Sequence, residues 1–197
     1  MPTVSLTTFL DFTAASGSAR VTQLRAAKKR YEQDYAPAKD YYKFLRETIE
    51  ECFEAGWSAK RLQTSLAELP DSRKAEKYDE CRKGLTKWAG RKTFTSLPKS
   101  RASWQSSGLT VRINPELHLN VDGVPHLIKL YFKGEKISKQ RVDVALHLMK
   151  SRTKTGTTAG ILDLRRAKLY VPTVSRPGMA ALLTAEAAAF KSLWESL

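Results

Sequence analysis

The stretch from Leu109 to Lys133, LTVRINPELHLNVDGVPHLIKLYFK, limits the fold more than any other part of the chain. Apolar residues alternate with polar ones at Leu109, Val111 and Ile113. They do so again at Leu117, Leu119 and Val121, and again at Ile128, Leu130 and Phe132. A period of two is the mark of strands with one buried face. Asn114-Pro115 and Asp122-Gly123 interrupt the runs as bend and turn signals. The pattern predicts a three-stranded meander with one dry face and one wet face.

The same alternation assigns the polar side chains. Glu116, His118, Asn120 and Asp122 fall on the wet face of the second strand, and Lys129, Tyr131 and Lys133 on that of the third. Arg112 and Asn114 come from the first strand. A two-residue turn at Asp122-Gly123 sets Glu116 opposite Lys129 and Leu117 opposite Ile128. A four-residue loop would set His118 opposite Lys129 and leave the faces unchanged.

The helical part precedes this stretch. Phe9, Leu10 and Phe12 form a short apolar segment, and Ser18 is a candidate cap for a helix carrying Val21, Leu24 and the basic run Arg25 to Arg30. Pro37 suits a first helical turn. The following helix runs to Ala55, with Tyr41, Phe44, Leu45, Thr48, Cys52 and Phe53 spaced by threes and fours. Ser58 caps a helix through Leu62, Leu66 and Leu69. Pro70-Asp71 opens another through Tyr78, Cys81, Leu85 and Trp88. Residues 1–92 thus read as a basic helical region, 93–108 as a linker or surface loop, and 109–197 as a mixed sheet with flanking helices. After the meander, Ser138 caps a helix, GILDL and KLYVP read as two strands, and Thr184 opens a final helix. The class is α+β.

Charge bounds the partners. Lys and Arg number 34 against 20 acidic residues, a formal +14 in 197 residues. Such an excess favours polyanions, because each phosphate contact releases counterions. DNA or RNA is the expected partner. The candidate phosphate contacts are Lys28, Lys29, Arg30, Arg112, Lys133, Arg141, Arg152, Lys154, Arg165 and Arg166. No apolar run reaches membrane-spanning length, and the N-terminus lacks the basic and apolar blocks of a secretory signal. Cys52 and Cys81 form no C-x-x-C pair, so neither a zinc site nor a disulfide framework is expected, and a reducing cytoplasm is the expected location.

A carboxylate beside a lysine on neighbouring strands is either a cross-strand ion pair or a hydrolytic site. In the second case oxygen ligands hold Mg²⁺ or Mn²⁺ and the lysine faces the water or the phosphate. Glu116 and Asp122 are the candidate metal ligands, and Glu116, Asp122 and Lys129 the candidate catalytic set. The helix–three strands–helix–strand order over residues 40–172 resembles the PD-(D/E)xK nuclease-like superfamily. Pro115-Glu116 is similar to the first half of its signature and Leu127-Ile128-Lys129 to the second. The resemblance implies metal-dependent phosphodiester hydrolysis. It departs at Leu127, where the family's second acid would stand. Asp122 replaces that acid, or the site is degenerate and only binds, and Glu50 or Glu51 on the preceding helix supplies the further acid of some members. A non-catalytic DNA- or RNA-binding module and a protein-interaction domain are the alternatives. His118 is a candidate acid/base group. His126 falls on the apolar side and His147 lies in mid-helix.

Overall fold

The structure, a computed structural model, describes residues 1–33, 40–68, 71–172 and 177–197. Its elements run β1 (Thr3–Ser5), α1 (Leu6–Ala14), α2 (Gly17–Glu32), α3 (Lys43–Glu54), α4 (Ala59–Ala67), α5 (Ala75–Ala89), β2 (Phe94–Ser96) and β3 (Ala102–Ser106). They continue with β4 (Leu109–Ile113), β5 (Leu117–Val121), β6 (Val124–Tyr131), α6 (Lys139–Lys150), β7 (Thr158–Asp163), β8 (Lys168–Tyr170) and α7 (Met179–Ser196). The fold is α+β: a short strand, β1, precedes the helices expected over residues 1–92, and a terminal helix comes last. No described helix is long and apolar enough to cross a membrane.

The strands form two sheets, not one meander. A five-stranded sheet has the order β2-β5-β6-β7-β8, antiparallel except where α6 carries the chain from β6 to a parallel β7. A three-stranded sheet has the order β1-β4-β3, with β1 parallel and β3 antiparallel to β4. The expected first strand of the meander, β4, therefore does not pair with β5. The bend at Asn114-Pro115 sends it into the other sheet. Its place beside β5 is taken by β2, from residues 93–108. That stretch was expected as a linker or surface loop, but it contributes both β2 and β3. Short, Ser/Thr-rich strands at a sheet edge carry too little alternation to announce themselves.

The β5–β6 hairpin keeps the register of the two-residue turn. Val121 pairs with Val124 and Leu117 with Ile128. Asp122 and Gly123 both have positive φ, 50° and 86°, as a type I′ turn requires. The four-residue alternative is excluded.

Both faces of the larger sheet are covered. Leu117, Leu119, Val121, Ile128, Leu130 and Leu162 pack on Leu45, Ile49, Phe53, Leu62, Tyr78 and Leu85 from α3, α4 and α5. The other face, with Leu127, Tyr131, Ala159 and Ile161, meets α1, α6, α7 and the smaller sheet through Val111, Phe9, Leu146 and Phe190. Each fully buried Leu, Ile or Phe in these cores contributes about 1.5–3 kcal/mol of transfer free energy. The face predicted to be wet is thus mostly dry: Glu116 is 8% exposed and His118 5%. Trp88 is buried, and Trp57 and Trp104 pack against the cores.

Local signals were read with small offsets. Ser58 and Ser138 cap α4 and α6 through their hydroxyls, accepting from the Arg61 and Arg141 amides. The α2 cap is Ser16, not Ser18, and α7 begins at Met179 rather than at Thr184. Asp71 caps a short 3-10 turn before α5. The expectations placed on Pro37, Leu69 and Pro70 lie outside the described residues.

Helix α5 approaches the sheet most closely at Gly84. A Cβ there would stand 1.6 Å from the Leu164 carbonyl oxygen. On an open helix surface, Ala would gain about 1 kcal/mol over Gly. Here the overlap with backbone outweighs that gain. Gly84→Ala is expected to lower stability by about 1–3 kcal/mol, seen as a lower urea midpoint at unchanged slope. An unchanged or higher midpoint would contradict the packing.

Candidate functional site

Strand β5 begins just after Pro115-Glu116. At that point its ladder with β6 stops, and Glu116 takes over the pairing with its side chain. Oε2 accepts the Leu130 amide at 2.8 Å, and Oε1 accepts from the Lys129 ammonium. The side chains are 7% and 18% exposed. One carboxylate therefore satisfies a backbone donor that would otherwise be orphaned and neutralises a largely buried lysine. The register had placed these two residues opposite one another, and the structure brings them together.

Asp122 does not join them. It sits at the far end of β5, roughly 20 Å away along a strand that rises about 3.3 Å per residue. There its carboxylate accepts from the Thr93 amide at 2.8 Å and the Thr93 hydroxyl at 3.1 Å. These bonds tie the segment leading into β2 to the hairpin turn. The donor set Glu116 plus Asp122 thus does not fit a metal ion. No group of three or more His, Cys, Asp or Glu residues among the described ones is arranged to hold one.

A different acid flanks Glu116. Glu50 on α3 and Glu116 line one shallow cleft, together with Glu54, Lys99 and His118. Glu51 points to solvent instead. Lys99 bridges the two helical acids, 2.6 Å from Glu50 and 2.9 Å from Glu54. Burial pushes the Glu50 carboxyl up against the opposing pull of Lys99, and the negative charge of Glu116 adds to the rise. The paired carboxylates in turn hold the Lys99 ammonium above its ordinary range. Lys99 was hidden from sequence reasoning because its partners lie 45 and more residues upstream, with no periodicity linking them.

His118 faces the same cleft. Its Nδ1 accepts the Ser100 amide at 3.3 Å, which holds the loop between β2 and β3 against the sheet. Burial depresses its pKa, and the Lys99 charge acts in the same direction, while a hydrogen bond at the Pro115 backbone and the Glu116 charge oppose the shift. The ring is therefore neutral near pH 7, and protonating Nδ1 would break the Ser100 contact. His126 uses its Nδ1 on the Val124 carbonyl.

The ten basic candidates divide evenly. Five are tied down inside the fold. Lys28 donates to the Trp194 carbonyl at 3.0 Å. Lys133 and Arg141 both meet Asp11, at 3.3 and 2.8 Å. Arg165 binds the Phe132 carbonyl at 3.0 Å and Glu80 at 2.5 Å. Arg166 binds Asp163 at 3.3 Å and the Gly134 carbonyl at 2.8 Å. The other five, Lys29, Arg30, Arg112, Arg152 and Lys154, project into solvent. No protein-family model matches the chain, and no curated protein matches it either.

The arrangement makes Glu116 and Lys129 an interdependent pair. Lys129→Met leaves a buried carboxylate without its counter-charge and is expected to cost about 3 kcal/mol. In Glu116→Gln with Lys129→Met, the amide oxygen still accepts from Leu130 and no charge is stranded. The double variant is expected to recover more than half of that loss in a urea-melt double-mutant cycle. Strict additivity of the two single effects would contradict the pairing.

Proposed function

We propose that this protein binds nucleic acid through exposed cations carried on a nuclease-like scaffold, and that it acts by binding rather than by cleavage. The observation that carries the reading is the charge balance. The formal charge is +14, and the acids of the cleft are already engaged by Lys129 and Lys99. The surplus cations are left to face solvent, where a phosphodiester backbone is the polyanion that gains most from them.

The scaffold supports the same reading. With β3 and β4 set aside in the smaller sheet, α5, β2, β5, β6, α6 and β7 follow the order of one helix, three antiparallel strands, a helix and a further strand. That is the order which the resemblance to the PD-(D/E)xK superfamily rests on, with β2 standing where β4 had been expected. Glu116 and Lys129 occupy the two signature positions, and Leu127 stands at the missing acid. A site with this substitution lacks a converging pair of strand carboxylates, which supports binding over cleavage.

Metal-dependent cleavage is the second reading. It draws on the proximity of Glu50 to Glu116, whose charge adds to the upward push on the Glu50 carboxyl. It needs Lys99 to release Glu50.

Affinity for a short DNA duplex and for an RNA of equal length, titrated against salt, tests the proposal. The logarithm of the association constant is expected to fall with the logarithm of salt at a slope of about −3 or steeper, equivalent to three or more phosphate contacts. A flat salt response would remove nucleic acid as the partner. Turnover in Mg²⁺ or Mn²⁺ that Glu116→Gln abolishes would replace the first reading by the second.

A further inference from the structure

Around the start of α5, charges pair off. Arg73 meets Asp71 at 2.9 Å, Arg82 and Lys83 meet Asp79 at 2.7 and 2.8 Å, and Arg46 on α3 meets Asp40 at 2.8 Å. Glu80 is held by Arg165 at 2.5 Å. Lys74 and Lys77 depart from this pattern. Among the described residues neither has a carboxylate within ion-pair distance. Glu76 precedes Lys77 in the helix, but consecutive helical residues point about 100° apart and do not face each other.

Both lysines turn to an aromatic ring instead. The Lys74 ammonium lies 5.2 Å and the Lys77 ammonium 5.5 Å from the centre of the Tyr41 ring. A spacing of three residues puts them on one side of the helix start, and the shared ring gathers their charges in one place. A carboxylate would cancel a lysine's charge. A ring orients the ammonium through its quadrupole and leaves the charge whole. Cations at the start of a helix oppose its dipole, so the stability of α5 does not account for this pair.

The ring is fixed from the core. Tyr78, 2% exposed, donates its hydroxyl to the Tyr41 carbonyl at 2.6 Å. The Tyr78 ring meets the Tyr41 ring edge-on at 6.1 Å, and the Tyr42 ring does so at 4.8 Å. Tyr42 in turn stacks on Phe132 at 5.0 Å. At the outer end of this chain of contacts, Tyr41 and Lys74 stay partly exposed and Lys77 is exposed.

We propose that Lys74 and Lys77, gathered over Tyr41, seat the phosphodiester backbone of nucleic acid. This rests on the nucleic-acid reading above and assigns it a place. Two ammoniums held by one ring lose less freedom on meeting a phosphate backbone than lysines free in solvent. Tyr41 is a positioning residue: it acts through the two lysines.

Fluorescence anisotropy across a salt series, with a short DNA duplex and an RNA of equal length as probes, compares two double variants of equal charge loss. Lys74→Gln with Lys77→Gln removes the patch. Lys60→Gln with Lys87→Gln removes one exposed lysine from α4 and one from the far end of α5. On the probe that the unaltered protein binds more tightly, the first variant is expected to bind at least about tenfold more weakly, with the salt slope reduced by about two. The second is expected to stay within about twofold of the parent, since distant charges act weakly through screening salt. Tyr41→Leu keeps both charges and is expected to bind about threefold more weakly, while Tyr41→Phe, which keeps the ring, binds as the parent does. Parent affinity in the Lys74, Lys77 variant, or an equal loss in the Lys60, Lys87 variant, overturns the placement and leaves the charge-based reading standing. Parent affinity in Tyr41→Leu overturns the role of the ring. Absence of salt-dependent binding by the unaltered protein overturns both the placement and the nucleic-acid reading.

Discussion

The hold that Glu116 has on β6 is the constraint on which the rest of the structure depends. It fixes where the β5–β6 ladder ends, by replacing the next backbone partner with a carboxylate on the Leu130 amide. The type I′ turn at Asp122-Gly123 fixes where the ladder begins. Between these two ends the register has no freedom. A slip of one residue would carry Leu117, Leu119 and Val121 away from α3, α4 and α5 and onto the opposite face. Both cores would fail together, because β6 and β7 are shared between them. Burying a lysine and a glutamate is costly. It is tolerated because the pair satisfies itself and a backbone donor at once.

Charge in this protein serves two purposes that the fold keeps apart. Several cations are bolts between elements. Asp11 on α1 draws in Lys133 after β6 and Arg141 on α6, and Arg165 joins the end of β7 to α5 through Glu80. Lys99 pins the β2–β3 loop to α3. Others, at Arg101, Lys150, Arg152 and Lys154, have no such task and face solvent. Total charge cannot separate the two groups, since every Lys and Arg counts alike in a net value.

Legibility in the sequence followed the range of the interaction. The β5–β6 hairpin was readable to the residue, because alternation and an Asp-Gly turn are local and agree with each other. The Glu116–Lys129 pair came with it. The caps at Ser58 and Ser138 are equally local. The partner of β4 was not readable: alternation says that a strand has a buried face but not which sheet supplies it. Nor were β2 and β3 readable, since three- and five-residue strands rich in Ser and Thr resemble a loop. Asp122 could be placed on the correct face but not at the correct distance, because a shared face does not mean a shared site when the five residues of β5 intervene. The Glu50–Lys99 contact spans most of a domain in sequence and left no local trace.

Glu116 and Lys129 hold the sheet together, and on the proposed reading they leave the ligand to other residues. The most direct measurement is the affinity of the folded Glu116→Gln, Lys129→Met double variant for duplex DNA across a salt series. Affinity and salt slope equal to those of the parent are the predicted result. A folded double variant that has lost its affinity would place the pair at the ligand and contradict the account.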